Sequence, residues 1–218
     1  RDYAKSFKWY FSAAELGDPY AQLEIGDRYE NGSLGVEQDY VQSEKWYLKA
    51  AEQGHLTAQL RLGLIYKNEA FSLFGLGVGS REVKEGSISI NEKGLRVGQN
   101  LVESVRWYRK AAERNNAEAQ YQLGVAYSYG EGVEQDYFES VAWYTKAAEQ
   151  GFVEAQFSLG RMYYKGEGVT QDYKQAVHWY IKAAEQGLVA AQFNLGLMYQ
   201  QGYDVEQDYQ KMAFWLTK

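Results

Sequence analysis

The chain has 218 residues, is 45% hydrophobic and 24% charged, and carries a net charge of −6, so it suffices for one large or two small domains and offers no basic excess for nucleic acid. No run approaches the roughly 18 apolar residues of a membrane span; the longest candidate, Phe71 to Gly79, is about half that, and zero cysteines exclude disulfides, thiolate metal sites and cysteine nucleophiles. Twenty tyrosines, six tryptophans and a single proline point instead to aromatic-rich helices with few irregular loops.

Internal periodicity decides the fold class. The tryptophans stand at 9, 46, 107, 143, 179 and 215, at intervals of 37, 61, 36, 36 and 36 residues. The glycine of a Leu/Ile-Gly pair recurs in step, at Gly26, Gly63, Gly124, Gly160 and Gly196. The unit is 36 residues, with one extra residue in the first interval and 25 in the second.

In chain order, the spacing predicts about eleven helices, paired antiparallel, starting near 3, 19, 40, 56, 101, 117, 137, 153, 173, 189 and 209. The unit at 154–187 shows why. Ala155, Leu159 and Tyr163 form one helical stripe, and Tyr173, Ala176, Val177, Tyr180 and Ala184 form a second, across a glycine-punctuated turn from Gly166 to Gln171. Asp18-Pro19 opens its helix with a cap and a first-turn proline. Asp39, Asn100, Asp136 and Asp172 each precede Gln42, Glu103, Glu139 or Gln175 by three, which predicts reciprocal capping boxes. Gly17, Gly54, Gly151 and Gly187, with Asn115 in the remaining place, read as left-handed helix ends. Trp143 is expected to be largely buried at a repeat interface, and Tyr10, Tyr47, Tyr108, Tyr144 and Tyr180, with the tryptophans beside them, to pack between repeats, because aromatics that recur in every unit pack rather than stack on bases.

The pattern AQxxLGxxY, a GxGV turn, then QDYxxAxxWYxKAAEQG closely resembles the Sel-one-like repeats (SLR) of the tetratricopeptide-like superfamily. The resemblance covers nearly all of the chain outside one insertion. It implies an all-α fold: a right-handed α-α superhelix, or solenoid, of about five helix pairs, with the AQxxLGxxY helices lining the concave side. It also implies adaptor or assembly roles in a bacterial envelope, periplasmic, secreted or endoplasmic-reticulum setting. Residues 1–218 read as a single solenoid, part of a longer array, because the opening segment at Tyr3 lacks an inner partner and the last outer helix lacks its AAEQG ending.

The insertion, residues 68–92, continues the preceding helical stripe through Ala70, Phe71 and Phe74, then breaks at Gly75-Leu-Gly77-Val-Gly79. Ser87-Ile88-Ser89-Ile90 alternates, Asn91 to Gly94 reads as a turn and Leu95-Arg96-Val97 alternates again, which predicts a β-hairpin, with any sheet confined to 86–98. Phe71, Phe74, Ile88 and Ile90 would be its partner contacts if the long loop is functional.

The chain offers little chemistry. His55 and His178 lie in different units and outside any metal spacing. His178 occupies a position that holds Lys8, Lys45, Arg106 and Ala142 elsewhere, and reads as an exposed outer-helix residue. Gly75-x-Gly77-x-Gly79 lacks both the dinucleotide spacing and the Gly-Lys-Ser/Thr of a P-loop, and reads as a hinge. No enzyme activity, cofactor or metal is expected. Binding is the stronger expectation, because inner-helix positions that vary between units should face the groove. They are Leu23, Asp27 and Glu30; Leu60, Leu64 and Lys67; Tyr121, Val125, Ser128 and Tyr129; Phe157, Arg161, Tyr164 and Lys165; and Phe193, Leu197 and Gln200. Leu23, Leu60, Tyr121, Phe157 and Phe193 could equally pack on the next inner helix. The expected function is a non-enzymatic scaffold that binds a protein or peptide on this face or on the insertion, without membrane insertion. The alternatives are an envelope hydrolase or an architectural spacer.

Overall fold

The computed structural model describes residues 3–68, 89–90, 96–97, 100–203 and 208–217. Eleven helices lie among them: α1 (Tyr3–Glu15), α2 (Pro19–Asn31), α3 (Tyr40–Glu52), α4 (Leu56–Asn68), α5 (Leu101–Glu113), α6 (Ala117–Tyr129), α7 (Tyr137–Glu149), α8 (Val153–Lys165), α9 (Tyr173–Glu185), α10 (Val189–Gln201) and α11 (Tyr209–Thr217). Every start expected from the repeat is observed. The chain forms two compact units, Arg1–Arg114 and Asn115–Lys218. In the first, α2 packs on α3 and α4 on α5; in the second, α6 packs on α7, α8 on α9 and α10 on α11.

Of the insertion, only a two-residue antiparallel ladder is described, Ser89 opposite Val97 and Ile90 opposite Arg96. The expected turn at 91–94 lies outside the described residues, as do Phe71, Phe74 and Ile88. The hairpin is therefore not established.

The caps follow the sequence on one side only. Asp39, Asn100, Asp136 and Asp172 accept from backbone N–H groups of the first turn, Asp39 from Gln42 at 2.9 Å and Asp172 from Gln175 at 3.0 Å. The reciprocal half of the capping box is replaced. Each cap donates its own backbone N–H to an inner-helix tyrosine carbonyl: Asp39 to Tyr29, Asn100 to Tyr66, Asp136 to Tyr127 and Asp172 to Tyr163, at 2.9–3.2 Å. That bond closes the loop between paired helices, so no N–H is left for a Gln or Glu three residues on. The left-handed ends are as expected, with φ of +85° to +100° at the four glycines and +66° at Asn115.

The core is assembled from small inner-helix residues and two aromatics per outer helix. Neighbouring helical residues project about 100° apart, so Trp and Tyr of one Trp-Tyr pair address different sides. Trp179 packs with Ala147, Ala155, Leu159 and Met162, whereas Tyr180, with Ala183 of its own helix, joins Ala191 and Leu195 of the following pair. Trp46 and Tyr47 divide the same way around Ile25 and Leu62.

The tyrosine ring also lies flat on its own repeat's glycine. A Cβ on Gly160 would fall 2.8 Å from Tyr180 Cδ1 and one on Gly26 2.6 Å from Tyr47 Cδ1; Gly63 with Tyr108 and Gly124 with Tyr144 are as close. The tyrosines therefore pack within a helix pair as well as between repeats.

Buried glutamines join successive repeats. Gln156 of α8 donates to the Ala148 carbonyl at the end of α7 (3.2 Å) and accepts from Gln186 beyond α9 (2.8 Å). Gln22 repeats this with Ala14 and Gln53. Each such bond satisfies a carbonyl that a helix end would otherwise orphan. Arg114 stands where Gln53 and Gln186 stand elsewhere, and its guanidinium bonds the Gly54 carbonyl instead. Gln59 Oε1 is accordingly left without a donor among the described residues.

Trp143 is 8% exposed, as expected, and Lys146 Nζ lies 3.9 Å from its ring centroid. Trp143→Ala should cost about 3–5 kcal/mol in urea melts, the usual range for a core aromatic. A loss under about 1 kcal/mol would contradict the packing just described.

Candidate functional site

The recurring polar residues are engaged in caps and repeat junctions, so the variable inner-helix positions carry whatever is specific to this chain. In the second unit these lie on α6, α8 and α10. Tyr121 is half-buried, its ring 5.2 Å from Phe152 and 5.8 Å from Tyr144, and burial pushes its phenol above the ordinary range. Phe157 is half-buried with its ring 5.6 Å from Tyr180, and Val125 packs on the core around Leu159. Tyr121 and Phe157 thus each rest partly on an outer-helix tyrosine, Tyr144 and Tyr180. Ser128 is buried, contrary to the groove expectation, because its helical phase points it into the helix pair. Phe193 and Tyr129 stay 53% and 59% exposed, and Gln200 is exposed.

Arg161, Tyr164 and Lys165 are brought together at the edge of a cavity of about 220 Å³. Its α8 wall is these three residues. Its α10 wall is Asn194, Leu197, Met198 and Gln201, so Gln201 takes the place expected of Gln200. Tyr180 and Tyr203 complete it. Tyr203 stacks on Tyr173 at 4.9 Å and meets Tyr164 edge-on at 6.0 Å, which fixes that end of the wall. Asn194 and Gln201 flank the expected Leu197 in an i, i+3, i+7 stripe that the helical period makes visible in the sequence. Tyr180 recurs at Tyr10, Tyr47, Tyr108 and Tyr144, a pattern that marks core packing and hides its place in the cavity.

The electrostatics are those of a donor-rich site. Arg161 Nη2 donates to the Tyr129 hydroxyl at 3.2 Å, and this bond, above all, raises the guanidinium's pKa further. Arg161 Nε is buried and has no partner among the described residues. Lys165 Nζ lies 3.3 Å from Glu167 Oε1, an exposed pair of little energetic weight. Burial pushes the Tyr180 phenol up to about 12, so it stays a neutral donor.

The first unit presents a different surface. Leu23 and Leu64 are half-buried, Leu60 is buried and Lys67 is half-buried. Asp27 Oδ1 and Glu30 Oε2 each lie 2.6 Å from the Tyr47 hydroxyl. Burial first, then these two carboxylates, hold that phenol far above its ordinary range. Arg61 Nε approaches Asp27 at 4.0 Å.

Repeats of this build define the Sel1-type helical solenoid. The Sel1 repeat family model matches residues 1–18, 19–55, 86–116, 117–152, 153–188 and 189–218, and the chain belongs to that family. It is similar to c5321, a protective antigen present in uropathogenic Escherichia coli strains that displays an SLR fold. The identity is 39% and the TM-score 0.80, over 96% of this chain and 39% of that one, so the chain spans well under half of that relative's length. It is also similar to a Sel1 repeat protein from Oxalobacter formigenes, at 35% identity and TM-score 0.75, over 97% of this chain and 79% of that one. Immunity protein Pa5087 from Pseudomonas aeruginosa shares the fold alone, at 21% identity and TM-score 0.50 over 100% of this chain and 73% of that one. No curated protein matches the chain. Sel1 repeat proteins in general mediate protein–protein interaction.

The two histidines fall where no ligand is implied. His178 is exposed on α9 beside Trp179, as expected. His55 takes the position just before α4 where Asp18 and Asn116 cap their helices, its ring 4.7 Å from Tyr20 and both nitrogens unpartnered among the described residues. Burial, then the Arg114 charge, lowers its pKa from 6.5. Above about pH 6.5 the group is neutral in both folded and unfolded chains; below that the unfolded chain takes up the proton first, and stability falls. His55→Asn should therefore lose less stability than the parent between about pH 7.5 and pH 5.5 in urea melts. An equal loss would contradict the assignment.

Proposed function

We propose that the chain is a non-enzymatic interaction scaffold that holds an extended protein or peptide segment on the inner-helix face of its second unit, with Phe157, Arg161 and Tyr164 among the contacts. The observation that supports this most is the cavity at Arg161. Its lining combines apolar and donor groups, among them the variable positions Arg161, Tyr164, Lys165 and Leu197, with the exposed rings of Tyr129 on α6 and Phe193 on α10. Aromatic residues and arginine dominate interface energies, and a guanidinium already oriented by Tyr129 loses less freedom on binding. Tyr121, Val125, Lys165, Leu197 and Gln200 belong to the same face. The hydrolase alternative finds no support in a family of interaction scaffolds. The recurring carboxylates Asp39, Asp136 and Asp172 already serve as helix caps.

The test begins with a protein retained by the immobilised chain and identified. Its Kd is then compared across the parent, Arg161→Ala/Tyr164→Ala, and a variant lacking 68–92. The double substitution should weaken binding at least about tenfold. If the deletion abolishes binding while the double substitution changes it less than about threefold, roughly 0.7 kcal/mol, the partner grips the insertion and the groove reading is wrong.

A further inference from the structure

The cavity at Arg161 has a specific chemical deficit. Arg161 Nε is buried with no acceptor among the described residues, although Nη2 is already bonded to Tyr129. A guanidinium has five N–H donors and no acceptor, so a buried, unpaired Nε is a standing cost that an incoming acceptor would remove. The neighbouring groups do not supply one. Lys165 is cationic, the neutral Tyr180 hydroxyl has a hydrogen to give, and neither the Asn194 nor the Gln201 amide bonds Nε. Among the described residues no carboxylate lines the cavity. Among the described residues, the nearby acid Glu167 is engaged with Lys165 at the exposed rim.

Building on the groove reading, we infer that this cavity receives the acidic side chain of a partner's glutamate or aspartate, carried within an extended segment, with Arg161 as its principal donor. A planar carboxylate matches the guanidinium fork and can take two parallel N–H bonds. Lys165 adds an attractive charge and Tyr180 a neutral donor. Within the remaining lining, Leu197, Met198 and Tyr164 accommodate the methylene stem of the acid. An internal acid suits the site better than a chain end, because Tyr129 on α6 and Phe193 on α10 both leave ring surface open to apolar neighbours of the acid. The chain's own charge of −6 makes such a local preference informative, since long-range electrostatics would repel an acidic segment.

Three short probes separate the possibilities. The first is an acetylated, amidated five-residue peptide with glutamate at its centre and phenylalanine at both ends. The second carries glutamine in place of glutamate. The third is the glutamine peptide with a free C-terminal carboxylate. Binding is followed by NMR titration of the full chain up to about 5 mM peptide, a range that reaches even millimolar affinities.

The glutamate peptide should bind at least about tenfold more tightly than the glutamine one. Arg161→Gln should remove that preference, Arg161→Lys should keep part of it, and Lys165→Gln should reduce it less than Arg161→Gln does. The exposed Arg106→Gln on α5 should leave it intact. The inference is overturned if the glutamate and glutamine peptides bind within about twofold, if the preference survives Arg161→Gln, if only the free-terminus peptide shows it, or if no peptide binds. Any of these with partner binding still sensitive to Tyr164→Ala leaves the groove reading standing. Partner binding insensitive to the groove substitutions removes that reading separately.

Discussion

A tyrosine ring lying on a glycine sets the spacing of every complete helix pair in this chain. With hydrogen in place of Cβ on Gly26, Gly63, Gly124 and Gly160, the rings of Tyr47, Tyr108, Tyr144 and Tyr180 reach the inner helix backbone. Two consequences follow. The outer helix comes close enough for its serine to bond the same glycine's carbonyl, Ser104 to Gly63 at 2.7 Å and Ser140 to Gly124 at 2.8 Å. The phenol also passes through to the inner face, where Tyr47 meets Asp27 and Glu30, and Tyr180 lines the cavity at Arg161. A residue that looks purely structural in the repeat thus supplies part of the candidate binding surface. In the last pair Leu216 replaces the tyrosine, and its branched end fills the space over Gly196 without a hydroxyl.

The polar residues of the repeat follow a second rule: each has a backbone partner that the helix geometry would otherwise leave open. Cap aspartates bond first-turn N–H groups and glutamines bond helix-end carbonyls across repeats, while Gln38, Gln135 and Gln171 bond the last carbonyls of the inner helices. Where one unit departs from the pattern, its surroundings change with it. Arg28 stands in the slot filled by Met162 and Met198 elsewhere, is 4% exposed, pairs with Glu24 at 2.9 Å and lies 4.9 Å from the Tyr10 ring centroid. Trp9 has no earlier helix to pack on among the described residues, and is 78% exposed where the other five tryptophans are buried.

Much of this architecture was legible because a strict period multiplies weak signals. Five copies of Leu/Ile-Gly and six of Trp fix helix starts that a single helix leaves uncertain by several residues. The capping box was half right: Asp39 and its equivalents do cap, but periodicity could not show that their N–H groups are used by the inner tyrosine carbonyls. The candidate surface was legible only as a set of variable positions, and helical phase alone did not separate half-buried Tyr121 and Phe157 from Arg161 and Tyr164 at the cavity. That separation depends on which ring the neighbouring outer helix contributes, a long-range contact. The insertion, which carries no period, could be described only by its alternation.

The glycine–tyrosine contact can be tested by a cycle of Gly160→Ala and Tyr180→Ala followed in urea. In the parent, Gly160→Ala should destabilise by about 1–3 kcal/mol through overpacking. With Tyr180 already alanine, the same change should be neutral or stabilising by up to about 1 kcal/mol, because alanine is the better helix former. If Gly160→Ala stabilises the parent by about that amount as well, the ring does not rest on the glycine and the account of how these helices pair is wrong.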